Sequence, residues 1–66
     1  MKITVNGEIR EAPPSSTVLG LLESVGVEPG ETVVMRNGEI IERAAFAGTA
    51  LAEEDKLELV RFVGGG

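Results

Sequence analysis

The chain has no cysteine, histidine, tryptophan or tyrosine, and its only aromatic residues are Phe46 and Phe62. Without cysteine it forms no disulfide and offers no thiol nucleophile or iron–sulfur ligand. Without histidine it lacks the usual general base and the commonest ligand for zinc and other transition metals. Its serines therefore have no partner for a conventional catalytic triad. These gaps make it a poor candidate for an enzyme acting alone. No apolar run approaches the roughly 20 residues of a membrane span. Met1 leads straight into a strand pattern, which predicts no signal peptide. The lack of cysteine fits a cytoplasmic setting.

A chain of 66 residues is expected to form one small domain, burying only about 60% of the surface its unfolded form exposes. Eleven acidic residues outnumber six basic ones, for a net charge of −5. That balance repels nucleic acid, and two phenylalanines offer little for base stacking. It suits solubility and a basic cleft on a protein partner.

Lys2-Ile3-Thr4-Val5 alternates polar and apolar residues, as a half-buried strand does. Asn6-Gly7 is a strong type I′ turn signal, and Glu8 to Ala12 returns as the partner strand. Ile3, Val5 and Ile9 are the expected core residues of this hairpin. Pro13-Pro14 ends it, since proline donates no ladder hydrogen bond. Ser16 or Thr17 is placed to cap a helix. Val18, Leu21, Leu22 and Val25 follow at i, i+3, i+4 and i+7, the spacing of one apolar helix face. Gly26 supplies the left-handed residue that stops it. Residues 32–42 repeat the hairpin pattern around Asn37-Gly38. Ala44 to Ala47 predicts a short helical turn that tucks Phe46 inward, with Leu51 as a second plug. Arg43 reads as a loop-bracing donor. Glu53-Glu54-Asp55 reads as a solvated turn, because it lacks the spaced oxygen ligands of a metal loop.

Residues 57–63 form the last predicted strand. Leu57, Leu59, Arg61 and Val63 share one face, and Glu58, Val60 and Phe62 the other. A strand apolar on both faces is expected at the centre of a sheet, or against a partner. One amphipathic helix covers only one face of a sheet. The order therefore predicts an α+β roll, a mixed sheet of about five strands with a single helix across one face. The last strand is expected beside the first and parallel to it. The opposite face stays open, and Val60 and Phe62 are candidates for an exposed apolar patch there. Residues 1–63 are read as the domain, and Gly64-Gly65-Gly66 as a flexible tail. Glycine has no Cβ, so such a tail enters channels too narrow for other residues. The only reactive group it presents is the Gly66 carboxylate.

These features together resemble the ubiquitin-like β-grasp sulfur carriers of the ThiS/MoaD superfamily, and most closely the ThiS type. The resemblance runs through Ile3-Thr4-Val5-Asn6-Gly7-Glu8, Thr17-Val18 with Leu21-Leu22, and Arg36-Asn37-Gly38-Glu39. It continues with Arg43 and Phe46, then Leu57-Glu58-Leu59-Val60-Arg61 and the glycines. It implies a carrier that is a covalent substrate of partner enzymes and holds no cofactor of its own. Gly64 and Gly65 would thread into an E1-like (ThiF-like) adenylating enzyme that uses ATP and Mg. The Gly66 carboxylate would become an acyl-adenylate, and a persulfide sulfur donor would convert it to a thiocarboxylate. That sulfur would pass to a thiazole synthase (ThiG-like) for thiamin. Val60, Arg61 and Phe62 are the candidate docking residues. A MoaD-like carrier for molybdopterin synthesis, a ubiquitin-like protein modifier and a plain β-grasp binding module are the alternatives.

Overall fold

The structure is a computed structural model that describes residues 1–62. Expectations for Val63, Gly64, Gly65 and Gly66 lie outside the described residues. Five strands, β1 (Lys2–Val5), β2 (Glu8–Glu11), β3 (Thr32–Arg36), β4 (Glu39–Ile41) and β5 (Lys56–Arg61), make one sheet in the order β2-β1-β5-β3-β4. β5 is central and parallel to β1; the other pairings are antiparallel. This is the expected α+β roll.

Both hairpins close through Asn-Gly. Asn6 and Gly7 have φ of 50° and 83°, and Asn37 and Gly38 of 51° and 86°. Asparagine tolerates this left-handed region and glycine enters it freely, which is why the pair suits a type I′ turn. A two-residue turn also fixes the register. Val5 faces Glu8 and Thr4 faces Ile9.

That register corrects the expectation for Ile9. Cross-strand neighbours share a face, so Ile9 joins Thr4 on the side opposite Ile3 and Val5. Ile9 is 72% exposed, whereas Ile3 is buried at 1%.

Helix α1 (Val18–Val25) packs across the Ile3 face. Thr17 is its cap: the Oγ1 accepts from the Gly20 amide at 3.1 Å. Gly26, at φ 80°, closes it. Val18, Leu21 and Leu22 are buried, with Val25 packed at the margin. They meet Ile3, Val5, Val34 and Leu57 from the sheet. The end of the helix-covered face is filled by a 3-10 turn (Arg43–Gly48) that buries Phe46, and by Leu51. This segment is tied to the helix start by Val18 N–H to Thr49 O at 3.0 Å and Leu51 N–H to Ser16 O at 2.8 Å.

Candidate functional site

β5 is the last strand, and what holds it fixes Phe62, the last described residue. On one side it pairs with β3 along five residues, from Thr32↔Arg61 to Arg36↔Leu57. On the other, β1 pairs only at Thr4↔Lys56 and Val5↔Leu57. Beyond that point the Asn6 carboxamide takes over. Its Oδ1 accepts from the Leu59 amide at 2.8 Å and its Nδ2 donates to the Leu59 carbonyl at 3.3 Å. The last described anchor is the Phe62 amide, which donates to the Glu31 carbonyl at 2.9 Å.

The other end of β5 is held by Asp55. The sequence reading placed this residue in a solvated turn; the structure buries it to 6% exposure. Its Oδ1 accepts from Asn37 Nδ2 at 3.0 Å and its Oδ2 from the Ala52 amide at 2.8 Å. The Arg36 guanidinium lies 3.8 Å from Oδ2. Asn37 Oδ1 in turn accepts from the Lys56 amide at 2.9 Å. Each Asn-Gly turn thus contributes its asparagine side chain to β5. Among the described residues no cluster of three potential metal ligands occurs, and Asp55 is engaged by protein donors.

The candidate docking residues divide between two faces. Val60 and Phe62 project from the open face, exposed by 55% and 44%, with Ile9 and Ile40 also exposed. Val33 lies directly across from Val60. Arg61 points the other way, and its Nη2 meets Glu31 Oε1 at 3.3 Å near the surface. An exposed pair of this kind contributes about 0–1 kcal/mol, so it leaves the Arg61 charge accessible. Gly64, Gly65 and Gly66 lie outside the described residues. No helix among the described residues is long and apolar enough to cross a membrane.

The fold and the order of its elements have close counterparts. A crystal structure of a thiamine biosynthesis protein (ThiS) from Geobacter metallireducens superimposes with a TM-score of 0.85, at 36% identity and over 100% of both chains. The sulfur carrier protein ThiS of Bacillus subtilis is 34% identical over 65 residues, spanning 97% of this chain and 98% of that one. A thiazole synthase of Paramagnetospirillum magneticum is 44% identical over all 66 residues, and this chain spans only 20% of its length. A model of the ThiS family matches residues 3–66, so the match runs from β1 through the three terminal glycines. With that, the chain belongs to the ThiS family.

Proposed function

We propose that this chain is a sulfur carrier for thiamin synthesis whose Gly66 carboxylate is the covalent site. A carboxylate is a poor acyl donor, because its leaving group would be oxide. An adenylating partner using MgATP solves this: a carboxylate oxygen bonds the α-phosphorus, pyrophosphate departs, and an acyl-adenylate remains. The terminal sulfur of a persulfide donor then bonds the acyl carbon and AMP departs. A thiol then bonds the donor's sulfur and breaks the S–S bond, releasing a disulfide and the thiocarboxylate, which a thiazole synthase consumes. The chain contributes position and identity; ATP, metal and catalytic bases belong to its partners.

The observation that carries this reading is the family match, which includes Gly64-Gly65-Gly66 and all of β5. It is supported by the anchoring of β5, the strand that precedes the glycines in sequence, at the centre of the sheet. Glycine at 65 meets the steric demand of a narrow channel, with Gly64 adding reach. The open face around Val60 and Phe62 serves docking, and Arg61 presents its charge on the opposite side of the strand. The relatives named for thiamine or thiazole synthesis favour this route over the molybdopterin one.

Intact-mass analysis tests it. Incubated with the adenylating enzyme, MgATP and a persulfide source, the chain gains the mass of one oxygen-to-sulfur exchange, localised to Gly66. An unchanged mass in a reaction that consumes ATP would refute the assignment.

A further inference from the structure

Arg43 belongs to no interaction described so far. Of the six basic residues, Arg36 faces Asp55 at 3.8 Å and Arg61 faces Glu31 at 3.3 Å, while Lys2, Arg10 and Lys56 share with Arg43 the lack of a described ion pair. Among the described residues no carboxylate stands within 4.0 Å of the Arg43 guanidinium. Its Nη1 lies beside Gly30, 3.0 Å from where a Cβ there would be, and Pro29 and Gly30 line the same groove. That places the cation on the wall of a groove at the end of the sheet. Val33, Ile40 and Phe62 reach the groove from the open face, and Ile41 and Phe46 from the helix side. Glu42 is the other charged residue on its rim. The groove ends at Phe62, four positions before Gly66.

An apolar floor with a guanidinium on one wall suits an apolar side chain with a carboxylate close by. A planar fork of donors pairs a carboxylate bidentately. On a chain of net charge −5, Arg43 is one of four cations without a described carboxylate neighbour, and of the four it is the one on the wall of this groove. Resting on the reading that thiazole synthase consumes the sulfur, we propose that this groove seats a carboxylate-bearing apolar segment of thiazole synthase, with Arg43 pairing the carboxylate. The relative named thiazole synthase argues for that partner. It carries the matching segment within a longer chain, of which the segment is 20%. The rest of that polypeptide is therefore present at high effective concentration.

The test is calorimetric titration of the chain with purified thiazole synthase from the same organism, alongside circular dichroism to confirm folding. Arg43→Glu is expected to weaken binding about tenfold or more, as loss of an arginine anchor does. Gly30→Ala keeps every charge but crowds the guanidinium, and is expected to weaken binding about threefold, a sub-kilocalorie change. Arg10→Glu, on the edge strand β2, leaves affinity unchanged. Equal binding by the wild-type chain and Arg43→Glu overturns the groove assignment while the carrier reading stands. Failure of the wild-type chain to bind overturns the groove assignment and the choice of thiazole synthase together. The intact-mass test then judges sulfur loading separately.

Discussion

The carboxamide of Asn6 pairs with both backbone groups of Leu59, 53 positions along the chain, extending the β1–β5 contact after β1 itself has ended. One side chain thus does the work of a strand residue at the point where β5 runs on toward the glycines. Asn6→Gly keeps the left-handed turn and loses the pairing; Asn6→Ala loses the pairing and strains the turn. Since each intramolecular hydrogen bond contributes about 0.5–1.5 kcal/mol net, Asn6→Gly is expected to cost about 1–2 kcal/mol in urea denaturation. Asn6→Ala should cost more, because alanine tolerates positive φ poorly. Equal losses would mean that the turn conformation contributes nothing beyond the pairing.

Asp55 is the more demanding site, because it is buried. Replacing it by alanine leaves the Ala52 amide and the Asn37 carboxamide without their acceptor, and Arg36 without its counter-charge. An unsatisfied buried donor costs about 1–3 kcal/mol, so Asp55→Ala is expected to lose about 2–4 kcal/mol. Asn37→Ala removes one partner of Asp55, frees the Lys56 amide and strains a turn residue at φ 51°, so its loss is expected to be of similar size. In a double-mutant cycle the two losses should sum to more than the double mutant shows. Strict additivity would argue against the Asn37–Asp55 bond.

How far such features can be read in the sequence depends on their range. The hairpins, the Thr17 cap and the Gly26 stop are local, and their residues announce them. The central placement of β5 followed from its being apolar on both faces. The burial of Asp55 is not legible in the sequence, because its partners Asn37 and Arg36 lie far from it along the chain, and a charge within Glu53-Glu54-Asp55-Lys56 gives no sign that one member turns inward. The pairing of Asn6 with Leu59 was hidden likewise, since Asn6 had a sufficient reason to be asparagine in its turn. Ile9 differs, because its exposure was legible. Once Asn6-Gly7 is taken as a two-residue turn, Thr4 faces Ile9, and strand alternation places Ile9 away from Ile3. Register, not hydrophobicity, decides which face Ile9 occupies.

Ile3 and Ile9 occupy opposite faces of the same hairpin, so the same kind of substitution has different costs at the two. Ile3→Ala opens a cavity beneath the helix and is expected to cost about 2–5 kcal/mol. Ile9→Thr keeps β-branching at an exposed position and should fall within about 0.5 kcal/mol of the parent. Chemical denaturation of both variants checks this. A large loss at Ile9 would place it in the core after all.

Gly20 offers the opposite sign. It is exposed within α1, where glycine costs about 0.8–1.0 kcal/mol relative to alanine. A Cβ there would meet only Thr17 Oγ1, at 3.4 Å, which is ordinary contact. Gly20→Ala is therefore expected to stabilise the chain by about 0.5–1 kcal/mol, raising Tm by several degrees in a domain of this size. A lower Tm would show that the added methyl disturbs the Thr17 cap.

Docking and chemistry separate at Val60 and Gly66. Val60 is 55% exposed on the open face, so Val60→Ser changes stability by about 1 kcal/mol or less, the span of strand propensity. If that face meets the adenylating enzyme, the variant raises KM for the carrier about tenfold with little change in kcat, the signature of lost uniform binding. Removal of Gly66 should do the reverse: binding persists, while adenylate formation, followed by ATP–pyrophosphate exchange, falls to background. Both variants should unfold at nearly the parental urea concentration, because neither touches the core. A Val60→Ser variant with unchanged KM would move the docking surface elsewhere. A chain without Gly66 that still supported exchange would mean that activation needs no glycine at position 66.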